Sequence, residues 1–511
     1  MHNVVERLLA IRSEIKELLI KNNSPNKDLN IIVVCKTFSM GKILPLIESG
    51  HVHFGENKVQ EAELKWKDIK KKYSNIKLHM LGKLQTNKVK KALKIFDYIH
   101  SVDNHRLAEK IFTYEKKFDK VSIRSLQVTE DEINQAYEKV SENQIAAIDK
   151  MAMFVEAREG MLKDIKIPQR MNHAKYAKTP LEERKLAKAS SGFERLVYRK
   201  FVPIPSVGCY VPGGLARYPS SAVMSIVPAN VAGVKRIVVV SPPNQNGEID
   251  PLTLVACDLC GATEIYKMGG AQAIGALAYG TKSIKKVNKI VGPGGSFVSI
   301  AKALVCDTVA IDMIAGPTEL GIIADTSADS NLIVNDLFSQ AEHSKDTFCF
   351  VITTSRKLAE KINKIINDKI SQVSRSDIIK KSLSKNGFIA VCKKESDIIT
   401  LANELAPEHL QIITRASKKM ADKIDNAGLV LLGKRTPSAY TDYLLGTNHI
   451  LPTSGFAKVR GGLSVLDFMK LKTEVRIPTD DSVRNISLIM KELTDAEQLP
   501  NHYEAVRSRF E

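Results

Sequence analysis

The chain has 511 residues, a length that accommodates two to four domains, each with its own core. Its 44% hydrophobic and 26% charged residues are ordinary for a globular protein and exclude wholesale disorder. The formal charge of +18 favours a nucleic-acid partner at first sight. However, the lysines are spread along the chain, with runs only at 65–73 and 88–94, a pattern typical of solvated helix faces. We therefore expect no nucleic-acid partner.

The same sequence argues against a membrane protein and against disulfides. It has no run of about eighteen apolar residues, and its charged, amphipathic N-terminus lacks a cleavage site, so we expect a cytoplasmic protein. Seven cysteines at no framework spacing indicate reduced thiols. Cys257 and Cys260 form a C-x-x-C inside a helical-looking segment with no second pair nearby. We interpret them as buried small hydrophobic residues rather than a zinc or redox pair.

The first 112 residues alternate helices with strands. A helix is predicted over 3–22, and strands are predicted at NIIVVCKTF, HVHFGEN, IKLHMLG and DYIHSVD, with helices between them. Strands that alternate with helices indicate parallel β/α architecture.

The remainder of the chain begins with helices and then resumes the β/α alternation. Thr129 and Glu132 have the spacing of a capping box at the start of a helix. Strands are then predicted at RIVVVSPP, EIYKMGG and KIVGPGG, each followed by a helix, and a second α/β block starts at FCFVITTS. From Pro437 onward we predict helix and loop. The predicted domains are 1–112, 113–195, 196–345, 346–435 and 436–511.

Side chains that could hold a metal ion are concentrated in the last third. SNLIVNDLFSQAEH is predicted to be a helix, in which Gln340 and His343 are three residues apart and could reach one object. His449 follows Asp442 by seven residues, and His502 follows Glu497 by five. Nitrogen and oxygen ligands of this kind suit a divalent ion such as zinc. The alternative, that each histidine is a satisfied polar group on a surface loop, is disfavoured by their clustering.

Pro407 ends a predicted helix and leaves Glu408 and His409 at the edge between a loop and a strand. Of an adjacent carboxylate and imidazole, one can activate water while the other transfers a substrate proton.

Three glycine-rich turns form a second group of candidates: YVPGG (210–214), KMGGAQAIG (267–275) and VGPGGSF (291–297). The last two follow a strand and open a helix, which aims backbone N–H groups at a phosphate. None of them is the G-x-G-x-x-G fingerprint, and glycines also occur at such turns because φ is positive there.

An ordered set of motifs connects residues 113–511 to a known family. The set is GCYVPGGLARYPSSAVM, VPANVAGV, GGAQAIGALAYGT, IDMIAGPTEL, SQAEH, APEHLQI and GTNHILPTSG. In this order they resemble histidinol dehydrogenase, and the ordered set is far more specific than any single motif. The resemblance implies an α/β fold of two Rossmann-like α/β domains with helical N- and C-terminal segments. It also implies a homodimer with exchanged segments.

The resemblance further implies an activity and a set of residue roles. The activity is the zinc-dependent oxidation of L-histidinol to L-histidine through L-histidinal, with two hydride transfers to NAD, the last step of histidine biosynthesis. Glu408 would activate water and His409 would shuttle protons. The implied zinc ligands are Gln340, His343, Asp442 and His502, which would contact substrate together with Thr318, His409, His449 and Glu497. The implied NAD contacts are Tyr210 and Gln272, and Gly295 stands where the family usually has Asn.

A second resemblance covers the N-terminal part. VVCKTF, FGENKVQE, LHMLGKLQTNK and IHSVD resemble the first half of the pyridoxal phosphate homeostasis family, a single TIM-type barrel in which Lys36 would form the Schiff base. About four β/α units do not close a barrel, and the family's later glycine-rich phosphate segment does not follow. We therefore expect a partial TIM-type barrel without tight binding of pyridoxal phosphate.

The first segment of histidinol dehydrogenase, several dozen residues, is likewise missing ahead of KKFDKV. Two alternatives stay open at this point: a pyridoxal-phosphate-binding regulatory protein that carries a degraded dehydrogenase, and a catalytically dead scaffold or basic binding protein.

Overall fold

The computed structural model of the protein describes residues 3–21, 30–101, 107, 125–163, 197–213, 217–476 and 490–509. Within these ranges lie three parallel sheets and one antiparallel pair of strands. No helix in the described ranges is long and apolar enough to cross a membrane.

The N-terminal sheet has four parallel strands whose spatial order follows the chain order. It has its own core, in which the rings of Phe54 and Trp66 pack 5.0 Å apart between centroids. The predicted alternation of helices and strands is confirmed. The elements are α1 (Asn3–Lys21), β1 (Val33–Val34), α2 (Met40–Glu48), β2 (His53–Glu56), α3 (Val59–Lys72), β3 (Lys77–Met80), α4 (Val89–Ala92) and β4 (Tyr98–Ile99).

Three histidines form a hydrogen-bonded chain across this sheet. His53 Nδ1 lies 3.0 Å from His79 Nε2, and His79 Nδ1 lies 2.8 Å from His100 Nε2. The ring of Tyr98 stacks on His79 with centroids 4.5 Å apart. Burial, with smaller contributions from the charges of His100 and His53, lowers the pKa of His79 from 6.5 to about 4. The folded protein therefore keeps this ring neutral.

We expect the N-terminal unit to lose stability as the pH falls. The unfolded chain binds a proton at His79 more readily than the folded chain, so the stabilisation is complete above pH 6.5 and is lost towards pH 4. Trp66 is the single tryptophan and is fully buried in this unit, so its fluorescence reports on this unit alone. Its emission should shift to the red over that range, and His79→Gln should flatten the dependence. A wild-type emission that stays constant from pH 7 to about 4 would contradict the prediction.

Two helices, α5 (Glu130–Lys139) and α6 (Glu142–Lys163), follow. The capping box is confirmed: the Thr129 N–H donates to Glu132 Oε2 at 2.9 Å, and the Glu132 N–H donates to Thr129 Oγ1 at 3.3 Å. Lys267 forms an ion pair with Glu132 at 2.6 Å, which ties α5 to the first α/β sheet.

The first α/β sheet has five parallel strands in the order β10-β9-β6-β7-β8. As predicted, both C-x-x-C cysteines are buried, at the end of α8. The elements are β6 (Ser206–Tyr210), α7 (Pro219–Ala232), β7 (Arg236–Ser241), α8 (Pro251–Leu259), β8 (Glu264–Lys267), α9 (Gly270–Tyr279), β9 (Lys289–Val291), α10 (Ser296–Val305) and β10 (Ala310–Ile311), preceded by β5 (Val197–Pro203).

The order of this sheet reverses between β6 and β9. At such a switch point the carboxyl ends of the strands form a crevice, which is where ligands bind in open α/β sheets. Here Gly292 lies so close to Tyr210 that an added Cβ would stand 2.2 Å from the Tyr210 carbonyl oxygen. The buried pair Lys302 and Asp312 fixes this turn: Lys302 Nζ donates to the Gly292 carbonyl at 3.0 Å, and the Gly292 N–H donates to Asp312 at 2.8 Å.

The second α/β sheet, of order β13-β12-β11-β14-β15, is also parallel throughout. Its central strand and the helix that carries Gln340 come from residues before 346, the predicted start of this domain. The reason is that β11 pairs with β12 on one side and β14 on the other. The elements are β11 (Glu319–Ala324), α11 (Ser330–Ala341), β12 (Phe348–Thr353), α12 (Arg356–Lys369), α13 (Ser376–Asn386), β13 (Phe388–Val391), α14 (Glu395–Leu405), β14 (His409–Ile413), α15 (Ser417–Ala421) and β15 (Leu429–Leu432).

The prediction of only helix and loop after Pro437 was wrong. A strand, β16 (Met469–Val475), pairs antiparallel with β5 along its whole length. Its sequence MKLKTEV places apolar residues at every second position over part of its length, which is a weak strand signal. The described part of this tail also contains α16 (Ser438–Thr441), short 3-10 helices at Phe456–Lys458 and Val465–Phe468, a helical stretch at 490–496 and α17 (Pro500–Arg507).

Candidate active site

Two glutamates lie opposite each other where neighbouring strands begin. Glu319 is the first residue of β11, and Glu408 directly precedes β14. The Glu319 N–H donates to Glu408 Oε2 at 2.8 Å, and the Glu408 N–H donates to Glu319 Oε2 at 3.1 Å. Both residues are buried. The parallel pairing of β11 and β14 therefore brings together two carboxyl groups that are far apart in sequence.

The two carboxyl groups share one buried environment, and its effect on Glu319 is large. Burial raises the pKa of the Glu319 carboxyl to about 7. The N–H groups of Ser454 and Glu408 oppose this rise, and the charge of Glu408 adds to it. A carboxyl group of this kind is near its midpoint of ionisation at neutral pH.

Thr318 connects Glu408 to Gln340. Its hydroxyl donates to Glu408 Oε2 at 2.5 Å and accepts from Gln340 Nε2 at 2.7 Å. Because the amide nitrogen of Gln340 is used in this way, its oxygen points to the other side, where the Ser438 hydroxyl approaches it at 3.4 Å. The buried amide of Gln340 thus has a defined orientation, with its oxygen towards α16.

The His409 imidazole is almost fully buried beside Glu408. Its Nδ1 lies 3.3 Å from the Glu319 carbonyl oxygen and 3.7 Å from Glu408 Oε2. Burial lowers its pKa, but the adjacent carboxylate of Glu408 and the charge of Asp442 outweigh burial and leave the pKa raised. Its Nε2 is buried and has no hydrogen-bond partner among the described residues. That nitrogen can exchange a proton with a ligand.

His449 completes the cluster from the other side. Its Nδ1 lies 3.2 Å from the Asp442 carbonyl oxygen, and its Nε2 lies 3.5 Å from the Ser221 hydroxyl. Burial lowers the pKa of this histidine, while the charge of Asp442 opposes the change. Since Ser221 belongs to α7, this contact joins the first α/β unit to the segment that carries Asp442.

The four residues predicted as zinc ligands are found in different settings. Gln340 is buried in α11, and Asp442 is the C-cap of α16, which packs against α11. α11 ends at Ala341, so His343 lies just beyond the helix and is exposed. His502 lies exposed on α17, and no hydrogen bond of the described residues connects it or Glu497 to the other candidates. In the part of the chain that the structure describes, no three His, Cys, Asp or Glu residues converge to hold a metal.

The residues predicted to contact NAD lie at the turns of the first sheet. The Tyr210 hydroxyl accepts a hydrogen bond from the Gly270 N–H at 3.1 Å, at the start of α9. Gln272 is exposed in the first turn of that helix. Gly295 is the N-cap of α10, with φ of −64°, and a Cβ placed on it would meet nothing within 4 Å.

Comparison with known proteins identifies the family of this chain. The family model for histidinol dehydrogenase matches residues 83–510. The chain belongs to the histidinol dehydrogenase family. Histidinol dehydrogenase of Oceanobacillus iheyensis is 39% identical over 398 residues, which cover 78% of this chain and 88% of the relative. That of Methanocaldococcus jannaschii is 41% identical over 401 residues, covering 78% and 87%.

The fold agrees with that of a solved histidinol dehydrogenase. The crystal structure of the enzyme from Elizabethkingia anophelis matches with a TM-score of 0.70 at 32% identity, covering 86% of this chain and 95% of that one. The family match starts at residue 83, earlier than the motif resemblance near 113, and so overlaps β4 of the N-terminal sheet. As a member of the histidinol dehydrogenase family, the protein is an oxidoreductase with an α/β fold of parallel sheets.

The structure adds two residues to the candidate site that no sequence motif had indicated individually. Glu319 bonds the main chain of Glu408, and Ser221 approaches His449. A signal for Glu319 was present: in ELGIIA an acidic residue opens an otherwise apolar strand that is buried along its whole length. Acidic side chains are rarely buried without a specific partner. Ser221 gives no such signal, because serines are common on helices.

Proposed function

We propose that the protein oxidises L-histidinol to L-histidine through L-histidinal, with NAD as hydride acceptor and zinc as the bound metal, in the cytoplasm. The observation that carries the proposal is the hydrogen-bonded chain from buried Gln340 through half-buried Thr318 to buried Glu408, with His409 beside it. It links a metal-ligand candidate to an acid–base pair. Such a linked set of polar groups in a buried site is typical of catalysis rather than of structure alone.

The donor atoms of the site suit zinc. The amide of Gln340 is oriented with its oxygen away from Thr318, and this oxygen, the carboxylate of Asp442 and the imidazole of His343 are oxygen and nitrogen ligands that zinc accepts. When bound, zinc would supply a Lewis acid that anchors the substrate's imidazole and amino nitrogens. Gln340, His343 and Asp442 would hold it, together with His502.

The acid–base chemistry falls to Glu408 and His409. Within the described residues the Glu408 carboxylate accepts both of its hydrogen bonds on Oε2, so we assign the acceptance of a proton from water to Oε1. The unpartnered Nε2 of His409 is the atom that takes the proton from the substrate alcohol. Thr318 and His449 would contact the substrate beside them.

NAD would accept hydride at the crevice of the first sheet, with Tyr210 and Gln272 as contacts. Gly295 offers a direct test, because its extended backbone and the open space around it accommodate the Asn that the family usually has there. We expect Gly295→Asn to lower the KM for NAD about 10-fold, the effect of one hydrogen bond to a charged ligand. Gly295→Ala is the matched control and should leave the KM unchanged. The measurement is NADH formation at varied NAD, and an unchanged KM in Gly295→Asn would contradict the contact.

We further propose a homodimer with exchanged segments, in which Glu497 and His502 serve the site of the neighbouring subunit. Their exposed positions, with no hydrogen bond to the site in the described part of the chain, support this. Glu408→Gln and His502→Ala should each form almost no histidine alone, because the first loses the second oxidation and the second loses a zinc ligand, so the activity to measure is histidine formation. After co-refolding they should recover up to about a quarter of wild-type activity, since half of the randomly mixed dimers carry one intact site. No recovery from folded, mixed dimers would contradict the exchange.

For residues 1–112 we propose a partial TIM-type β/α barrel related to the pyridoxal phosphate homeostasis family. The sequential, parallel order of its four strands supports this, as does the position of Lys36 just beyond the carboxyl end of β1. A tightly bound cofactor is not expected from half a barrel. The alternative, a pyridoxal-phosphate-binding regulatory protein with a degraded dehydrogenase, requires a visible absorbance that disappears in Lys36→Ala.

The experiment that tests the main proposal is NADH formation by the purified protein from L-histidinol and NAD, with and without a chelator. We expect chelator-sensitive NADH approaching two per histidinol. A folded, zinc-loaded protein that forms no NADH from L-histidinol would contradict the proposed function.

A further inference from the structure

The carboxylate of Glu319 joins two loops of the site. Its Oε2 accepts from the Glu408 N–H at 3.1 Å, and its Oε1 accepts from the Ser454 N–H at 2.9 Å. Only 8% of the residue is exposed. Both oxygens thus bind main-chain groups, one on the loop before β14 and one on the turn after Pro452.

The loop of Ser454 needs such a restraint. Ser454 has a φ of +56°, the left-handed region that non-glycine residues rarely adopt. The same turn is also held from the side of Glu319, because the Gly316 N–H donates to Thr453 Oγ1 at 2.6 Å. The segment 316–319 therefore holds this turn through one main-chain N–H, that of Gly316, and one carboxylate, that of Glu319, and the same carboxylate binds the Glu408 N–H.

The position of Glu408 depends on this clamp. Pro407 cannot donate a backbone hydrogen bond, so the first donor of this loop is the Glu408 N–H that Glu319 accepts. The Glu408 side chain is fixed in turn by the Glu319 N–H and the Thr318 hydroxyl. Residues 318 and 319 hold both the main chain and the carboxylate of Glu408. The carbonyl of Glu319 also bonds His409.

We propose that Glu319 is a positioning residue for the second oxidation, holding the main chain of Glu408 so that its carboxylate can take a proton from water. The inference rests on the proposed function, in which Glu408 is the base for the aldehyde-to-acid step. Glu319 acts through Glu408 and does not itself touch the substrate. The first oxidation, which needs His409 but not an activated water, depends on it less.

The two half-reactions of histidinal separate this role from a merely structural one. Reduction of histidinal by NADH is the reverse of the first oxidation, whereas its oxidation by NAD requires water activation. Glu319→Gln keeps the size of the side chain but offers one acceptor oxygen to two N–H donors, so one of the two loops is released. We expect the oxidation of histidinal to fall about 10- to 100-fold, the effect of a small displacement of a catalytic group. Its reduction and its KM should change far less.

Glu319→Asp is the matched variant. It keeps both acceptor oxygens on a shorter stem, so we expect it to recover part of the oxidation rate that Glu319→Gln loses. If Glu319→Gln does not fold, Glu319→Asp still tests the positioning role of Glu319, because a selective loss of histidinal oxidation in Glu319→Asp supports that role. Equal losses in both half-reactions, or no loss, would overturn it.

Glu408→Gln, measured in the same assays, distinguishes a failure of the positioning role of Glu319 from a failure of the proposed function. If Glu408→Gln slows oxidation selectively and Glu319→Gln does not, the positioning role is wrong while the proposed function stands. If Glu408→Gln leaves oxidation intact, the proposed function fails, and the role of Glu319 fails with it.

Discussion

Glu408→Gln should stop the reaction after one oxidation. The variant amide can still accept hydrogen bonds from the Thr318 hydroxyl and the Glu319 N–H through its oxygen, so the local structure should survive. What it loses is the ability to take a proton from water. We expect the conversion of histidinal to histidine to fall about 10²- to 10⁴-fold, the usual contribution of a general base. The conversion of histidinol to histidinal should fall much less.

The measurement is the stoichiometry of NADH per histidinol together with chemical trapping of the aldehyde. The wild type should give close to two NADH per histidinol and no trapped aldehyde, whereas Glu408→Gln should give close to one and accumulate histidinal. Glu404→Gln is the matched control, because Glu404 lies in the last turn of the helix before Glu408, is exposed, and forms an ion pair with Lys458 at 3.6 Å. Equal losses in the two steps would count against water activation by Glu408.

Much of the fold follows from the sequence because local patterns determine it. The helix 330–341, the capping box at Thr129 and the alternation of helices and strands all reflect contacts between near neighbours in the chain. The strand β16 was missed because its apolar alternation is short and interrupted by Thr473, and because its partner β5 lies far away in sequence. Pairing over such a distance leaves little trace in either segment.

The site illustrates the same limit. Thr318, Gln340, Glu408 and His409 were expected from motif resemblance, and the structure brings them into direct contact. No local sequence pattern predicts that β11 lies between β12 and β14. The pairing of β11 with β14 places Glu319 against Glu408.

The two sheets also present opposite edges to the candidate ligands. In the first sheet Tyr210 and Gly292 lie at carboxyl ends of strands, as the rule for open α/β sheets predicts. In the second sheet Glu319 and His409 lie at amino ends. The rule that ligands bind at the carboxyl ends of strands would therefore have placed Glu319 and His409 at the wrong edge of the second sheet.

His343→Ala should release the metal and abolish activity together. His343 is exposed beyond the end of α11, where its N–H donates to the Gln340 carbonyl at 3.2 Å, and its imidazole makes no hydrogen bond to any other described residue. Its imidazole is therefore not needed for folding, and the thermal stability of the metal-free variant should equal that of the metal-free wild type. Loss of a residue that only supports a metal ligand weakens metal binding by up to about 100-fold. Loss of His343, a direct ligand, should therefore weaken zinc binding by at least about 100-fold.

The test compares zinc content by elemental analysis with activity, in His343→Ala and in Lys345→Ala. Lys345 is exposed two residues further along the same loop, so its removal controls for any disturbance of the loop itself. Excess zinc should restore part of the activity of His343→Ala, because Gln340 and Asp442 remain as ligands and mass action can compensate for a weaker site. A His343→Ala enzyme that is purified with a full complement of zinc and remains active would remove His343 from the metal site. The histidine would then be a surface residue, as its exposure in the single chain would also allow.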